Sequence, residues 1–418
     1  MSGIKSSLRV ALLASGAVAI ASAPAHAAGF LIYDLSAEAL GKASAVTASV
    51  NEPAAVWFNP AALAFLDHGV SVAATGVAAR SRFEVAESSR FYTANPPTPD
   101  IQSKPGRFVL PAVFGHARIH DRVALGFGIF PAFGLSLDWP RDWLGRDYAI
   151  HASIKTGTFN PTVAVQISEH LSLAAGFAAT RGSVEFENGI PAPVGGSAII
   201  GGATWGFGGN VALLYRPLPE RLHAAITYRS RTKLDFDGRV DFDPPPEFAR
   251  SLPDEAGTAS ITLPDIISAG IMWRPTPSVT LTFDPNLVLW STFDRLVIDF
   301  ATAPDKIMER NNHNAVTLRF GVDWAMPTPG LSVRTGFIFD QNPSPKDTLA
   351  PSLPDANRID FALGVGYRRG AFQADIGYLF VYFLPSKAEG GMEREGPEGT
   401  YHSIAQLLGL TLTARFGR

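Results

Sequence analysis

The 418-residue chain has no cysteine, so it carries no disulfide staples and no thiolate metal sites, an economy that suits a protein of the oxidising cell envelope. It has almost no net charge, at −3 with a pI near 6.3, which gives no basis for a nucleic-acid partner. There is no P-loop and no dinucleotide fingerprint after a strand. The nine histidines stand at no metal-ligand spacing with carboxylates and suggest no Ser/His/acid set, so neither enzyme, metal nor cofactor is expected. Beyond the first residues no apolar run free of charge and proline reaches the roughly 20 residues a spanning helix needs. What is abundant is glycine (39), proline (32) and hydrophobic side chains (46%), a mixture open to a soluble protein or a barrel.

The first 27 residues have the layout of an export signal. Lys5 and Arg9 form a basic start, residues 10–21 an apolar core too short to span, and Ala25-His26-Ala27 a small-residue cleavage site. Removal of residues 1–27 would leave Ala28 as the first mature residue.

Alternation decides between the two classes. Near the C-terminus Ile404, Leu408, Leu410, Leu412, Ala414 and Phe416 share one side of a strand, and Ala405, Gly409, Thr411, Thr413 and Arg415 the other, with Gln406 and Leu407 out of pattern. The partition recurs: Val316, Leu318, Phe320, Val322 and Trp324 oppose Thr317, Arg319, Gly321 and Asp323, and Phe372 to Tyr382 oppose Gln373, Asp375 and Gly377. An Arg at the lipid midplane costs about 2–4 kcal/mol, so apolar-out, polar-in strands fix the register of a transmembrane barrel. Six tight turns (at Ile119-His120-Asp121 and its counterparts) alternate with seven long connections, the latter near residues 83–106, 131–150, 187–198, 237–257, 294–310, 341–356 and 385–403. The expected fold is therefore all-β, an antiparallel transmembrane barrel of 14 strands over residues 67–418, in the outer membrane of a Gram-negative cell, with both ends on the periplasmic side. Trp273, Trp290, Trp324 and Tyr367 near strand ends suit interfacial girdles.

Residues 28–66 do not read as strand. A small-residue run from Ser36 to Ala45, then Asn51-Glu52-Pro53 and Asn59-Pro60-Ala61, indicates short helices and turns, of a length suited to a helical hatch plugging the lumen. Gly126, Gly128, Gly176, Gly321, Gly336, Gly364, Gly366 and Gly377 all point inward by parity. Either the hatch fills the space they leave, or they ease strand coiling.

These motifs resemble the FadL/TodX family of outer-membrane transporters for hydrophobic compounds. The resemblance spans the mature chain and rests on Ala28-Gly29-Phe30, Gly41-Lys42-Ala43, Asn59-Pro60-Ala61, Leu263-Pro264 with Trp273-Arg274-Pro275-Thr276, Trp290-Ser291-Thr292-Phe293-Asp294, Pro354-Asp355-Ala356-Asn357-Arg358 and Leu407-Leu408-Gly409-Leu410. It implies a 14-stranded barrel, a hatch carrying the Asn-Pro-Ala motif, and passive uptake of long-chain fatty acids or monoaromatic hydrocarbons. The implied route runs from a groove among the outer loops to a pocket near the hatch and the N-terminus, where Phe30 stands, and out sideways at a kinked third strand. The short connection at residues 190–198 and the two residues after Phe416 depart from the family pattern.

On this chain the third strand ends in Phe130-Pro131-Ala132-Phe133-Gly134. Proline cannot donate to the ladder, so Gly126, Gly128, Pro131 and Gly134 mark either a lateral exit or an ordinary strand end. Phe133, Leu135, Trp139, Phe248 and Leu252 supply outer apolar surface, to bind ligand or to pack the loops. Arg229, Arg231 and Lys233 share inward parity with His223 and would meet a cargo carboxylate, balance Asp323, Asp360 and Asp375 in the lumen, or meet lipopolysaccharide phosphates at the rim. Expected partners are thus a hydrophobic small molecule, outer-membrane lipid and lipopolysaccharide, and the barrel assembly machinery, with the chain a monomer. A structural or adhesive barrel and an open porin are the competing functions.

Overall fold

The computed structural model describes residues 29–250, 252–300, 305–389 and 396–417; the expected export signal lies outside them. Fourteen antiparallel strands close into one barrel. In chain order they are β1 (His68–Val85), β2 (Gly106–His120), β3 (Val123–Phe130, resuming at Gly134–Asp138), β4 (His151–Gln166), β5 (Leu171–Gly189) and β6 (Ser197–Leu218). There follow β7 (Leu222–Arg229 and Thr232–Asp243), β8 (Glu255–Leu263 and Ile266–Thr276), β9 (Val279–Val288 and Arg295–Phe300) and β10 (Lys306–Glu309 and Ala315–Ala325). β11 (Leu331–Asp340), β12 (Arg358–Arg369), β13 (Phe372–Phe383) and β14 (Gly399–Phe416) complete the wall. Each strand pairs with its neighbour in sequence, and β14 closes on β1 from His68↔Phe416 to Val85↔Gly399. No helix among the described residues is long and apolar enough to cross a membrane.

The wall has the expected two faces. Leu408, Leu410 and Leu412 on β14 are 48–59% exposed, while Thr411 and Thr413 between them are buried. The apparent irregularity at Gln406 and Leu407 is one of composition, not of register. Gln406 points outward and accepts a hydrogen bond from Tyr378 (3.1 Å), and Leu407 points in against the apolar lining of the lumen. Trp273, Trp324 and Tyr367 face outward as girdle residues, but Trp290 does not: it is wholly buried, because β9 breaks off at Val288 and a 3-10 turn (Trp290–Thr292) swings its indole inward. Several of the long connections are also partly strand, among them Ile101–Gln102, which pairs with β1, and Ser386–Ala388, which pairs with β14. Gly134–Asp138 pairs with β4, and Arg295–Phe300 pairs with Lys306–Glu309 as an extension of β9 and β10.

Residues 29–66 occupy the lumen as helices α1 (Ala37–Leu40) and α2 (Ala55–Phe58) and a 3-10 turn (Pro60–Phe65). Inward glycines make room for them. A Cβ added to Gly364 would lie 2.8 Å from Gly41 Cα, one on Gly336 2.6 Å from Ala43 Cβ, and one on Gly126 2.6 Å from Leu63 Cδ1. The hatch backbone therefore lies directly on the wall, closer than any side chain would allow.

Candidate functional site

The interruption of β3 sets the geometry. Its ladder with β2 ends at Val113↔Ile129, and residues 106–112 of β2 are paired with β1 alone. Beyond the break, β3 keeps its pairing with β4 (Gly134↔Lys155 to Asp138↔His151) but not with β2. Gly134 and Leu135 are both buried, so this segment is covered on both faces. A gap results between β2 and β3. It is closed below by the Val113–Ile129 pair and above by Lys104 N donating to Asp138 O (2.8 Å).

The local cause is Pro131, which has no N–H for the ladder, followed by backbone groups that bond elsewhere. Ala132 O accepts from Ile32 N (2.9 Å), Gly134 N donates to Phe30 O (2.8 Å), and Phe133 N donates to Thr156 Oγ1 (2.9 Å). The N-terminal segment thus takes the place β2 has vacated. Gly126 and Gly128 lie below the break, in regular ladder. Gly126 abuts Val56 and Leu63 of the hatch, and Gly128 abuts the stacked Phe114 and Phe130 rings.

Around the kink stands an aromatic cluster. Phe30 is 5.9 Å from Phe133, 5.0 Å from Trp290 and 5.8 Å from Phe293, centroid to centroid. Asp355, in the loop between β11 and β12, holds the segment from above by accepting from Gly29 N (2.6 Å). Burial pushes its carboxyl up to about 7, with Arg358 opposing. Below the cluster is a narrow cavity of about 30 Å³, with Leu31, Val288, Ile338, Leu379, Val381 and Leu407 on its apolar side. Arg319, Asp340, Arg358 and Asp360 line its polar side. Arg358 is paired with Asp340, whereas Nε and Nη1 of the buried Arg319 have no hydrogen-bond partner and its guanidinium stacks 3.9 Å from the Tyr33 ring.

The three cations of β7 separate. Arg229 points inward and is fully engaged with the hatch. Its Nη2 donates to Val56 O and Trp57 O (2.7 Å each), its Nη1 to Asn160 Oδ1 (3.0 Å), and its guanidinium lies 4.3 Å from the Trp57 ring. Arg231 and Lys233 do not share that face. The strand breaks at Ser230 and Arg231, where Arg231 N leaves the ladder to donate to Asp265 Oδ1 (2.9 Å), and parity inverts, so that Thr232, Leu234 and Phe236 point in. Both cations therefore stand outside the barrel, Arg231 on Asp265 (2.8 Å) and Lys233 on Asp235 (2.8 Å). The inward placement expected of them is corrected. In the lumen Arg334 binds Asp323 (2.8 Å) and Asp375 (2.6 Å), and Lys42 of the hatch binds Glu38 (3.2 Å).

The outer apolar residues also divide. Phe133 and Leu135 join the lumen core. Trp139 is stacked on Trp143 (4.7 Å), donates to Pro351 O (3.0 Å) and packs near Tyr401, so it ties the loops together. Phe248 and Leu252 are half-buried and belong to neither cluster. Asn59, Pro60 and Ala61 shape the hatch. Asn59 accepts from Ala61 N (3.0 Å) and donates to Thr47 O (2.7 Å), Pro60 opens the 3-10 turn, and Ala61 O accepts from Ser172 on β5 (2.8 Å). Sequence reasoning missed Trp290, Phe293, Asp355 and Thr156 as members of the site; the first three lay in the quoted family motifs, while Thr156 gave no signal.

Residues 18–416 match the family described as outer membrane protein transport protein (OMPP1/FadL/TodX). The chain is 26% identical to the long-chain fatty acid transport protein of Salmonella typhi, over 92% of this chain and 94% of the relative. It is 24% identical to outer membrane protein P1 of Haemophilus influenzae, over 88% and 89%. A FadL homologue of Pseudomonas aeruginosa shares the fold with a TM-score of 0.83 at 21% identity, over 93% of this chain and all of that one. The Ralstonia pickettii toluene transporter TbuX shares it at 0.64 and 15%, over 90% and 98%. The chain belongs to the OMPP1/FadL/TodX family, and is an outer-membrane β-barrel transporter of hydrophobic compounds.

Proposed function

We propose that the chain takes up long-chain fatty acids by passive diffusion and without chemical change to the cargo. The cargo is caught among the outer loops, passes to the Phe30 cluster and the cavity beside the hatch, and leaves sideways between β2 and β3. The observation that carries this reading is the broken β2–β3 ladder, which lies against the aromatic cluster and its N-terminal segment. A cavity of about 30 Å³ is far below the roughly 300–1,000 Å³ of a ligand pocket, so ligand entry displaces the segment at residues 29–33. Such a displacement breaks the bonds of Gly29, Phe30 and Ile32 to Asp355, Gly134 and Ala132 and exchanges the packing of the buried Phe30, Leu31 and Ile32 for packing against the ligand.

Arg319 favours a carboxylate over a plain hydrocarbon. It is a buried guanidinium with two nitrogens that make no hydrogen bond, at the polar end of the cavity beside Asp34, Asp340, Arg358 and Asp360, and a fatty-acid headgroup would supply the missing acceptor. The test is binding of oleate, methyl oleate and toluene to purified wild-type and Arg319→Gln protein. The reading expects oleate to bind tightest and to lose about tenfold or more in the variant, with methyl oleate and toluene little changed. Equal losses for all three would make Arg319 a structural residue and refute carboxylate recognition, and a preference for toluene would assign the chain to aromatic cargo.

A further inference from the structure

The outside of the wall carries a feature that transport does not use. A groove of about 680 Å³ crosses β4 to β8, with Val163, Leu173, Val211 and Ile226 as its sides and Ala175 in its floor. It ends at Tyr228, whose hydroxyl donates to Asp265 Oδ1 (2.7 Å). Asp265 sits in the break of β8 and is buried. It also accepts from Arg231 N (2.9 Å) and Arg231 Nε (2.8 Å), so the guanidinium is fixed at the mouth of the groove with its side chain 59% exposed.

The parity inversion that removes Arg231 from the lumen brings Lys233 to the same outer face, 64% exposed. Arg181, also outward, pairs in register with Trp205 and lies 5.7 Å from its ring. Phe177 and Phe207 stack beside them at 5.8 Å, and Trp205 and Phe207 are more than half exposed. Aromatics with cations next to them mark the interfacial level of an outer-membrane barrel. Among these groups Asp235 offsets Lys233, Asp265 offsets Arg231 and the exposed Asp237 follows on the same face, so there is no net positive charge, and it is the placement of the cations, above all the Arg231 guanidinium held at the groove's end, that suits an anion. An apolar groove running into fixed guanidinium and ammonium groups matches an acyl chain joined to an anionic headgroup. A protein face would have no use for cations at the mouth, and a neutral lipid none either.

We propose that Arg181, Arg231 and Lys233 bind the phosphate of an acylated phosphosugar lipid of the outer leaflet, one acyl chain of which lies in the groove ending at Tyr228. The contacts would be charge-assisted and, for Arg231, preorganised by Asp265.

The probe is hexa-acylated bisphosphorylated lipid A in detergent micelles, compared with its dephosphorylated form and with glucosamine phosphate lacking acyl chains. Thermal unfolding of the full chain reads binding. The phosphorylated lipid is expected to raise the midpoint, and neither comparison compound to do so. Arg181→Gln/Lys233→Gln leaves the Tyr228–Asp265–Arg231 contacts intact and should weaken binding about 25-fold, at a factor of about five per surface cation. Ala175→Trp fills the groove and should remove the midpoint shift while the phosphate contacts remain. Equal stabilisation by dephosphorylated lipid, by the chain-free sugar phosphate, or of the double variant would overturn the proposal. So would a wild-type dimer that Ala175→Trp dissociates, since the groove would then be an interface between copies.

Discussion

Arg229 is expected to hold the hatch in place and not to receive cargo, and Arg229→Met separates these roles. The substitution keeps most of the side-chain volume but leaves Val56 O and Trp57 O inside the barrel without their guanidinium donors, and also ends the stacking on Trp57. An unsatisfied buried carbonyl costs about 1–3 kcal/mol, and a desolvated cation–π contact adds about 1–2 kcal/mol. Allowing for some rehydration, hatch docking should weaken by about 3–5 kcal/mol, or a factor of roughly 150 to 4,000 in the docked-to-undocked ratio. The barrel wall does not depend on these bonds and should still form. Single channels in planar bilayers, nearly silent for the wild type, should show frequent ion-conducting openings, and the segment at residues 51–58 should become cleavable by added protease. Arg229→Lys, which retains the charge with fewer donors, should fall between. Because the effect is on the hatch, oleate and methyl oleate should respond alike. A Met variant as silent and protease-resistant as the wild type, yet selectively impaired for oleate, would refute the reasoning and restore Arg229 as a cargo ligand.

Gly364→Val should displace α1 from the wall, since its Cβ would stand 2.8 Å from Gly41 Cα with no flexible side chain to yield. Overpacking of this kind costs about 1–3 kcal/mol, and should appear as a lower thermal midpoint of an inserted barrel. Glu52, buried in the hatch with its carboxylate accepting from Ser36, is pushed up to about 8 by burial and by Glu38. With the docked value above the ordinary 4.5, docking is favoured fully below pH 4.5 and loses stability as pH rises toward 8, by up to about 1.4 kcal/mol per unit. Hatch protection from protease should therefore fall between pH 6 and 8.5 in the wild type, and much less in Glu52→Gln. Phe30→Ala should strengthen binding of any apolar cargo, since it vacates the space between Phe133, Trp290 and Phe293 that cargo must otherwise clear, measurable by titration with a fluorescent fatty acid.

The barrel was legible because lipid imposes a period of two on every strand, and β11 to β14 show it with little interruption. The hatch was legible because Ala-rich, Pro-broken segments cannot join such a ladder, and because inward glycines such as Gly336 and Gly364 needed an occupant. The site was legible only in part. Pro131 announced the break in β3, since a missing N–H is a sequence-level fact. The break in β7 has no such mark: Ser230-Arg231 is ordinary strand composition, and the inversion coincides with Arg231 N bonding to Asp265, a residue 34 positions away. Counting by twos past that point put Arg231 and Lys233 on the wrong face. Trp290 failed for a related reason, because an aromatic at a strand end faces lipid only if the strand continues to its level. Arg229 was placed on the correct side, but its occupation by hatch carbonyls is a tertiary contact between residues more than 170 apart.

The most direct measurement is uptake of radiolabelled oleate by cells whose barrel has residues 131–134 replaced by Thr-Val-Thr-Val, so that β3 can continue its ladder along β2. The variant should insert, resist heat and detergent as the wild type does, and take up oleate no faster than cells without the protein. Uptake at the wild-type rate through an unbroken β2–β3 wall would contradict lateral release.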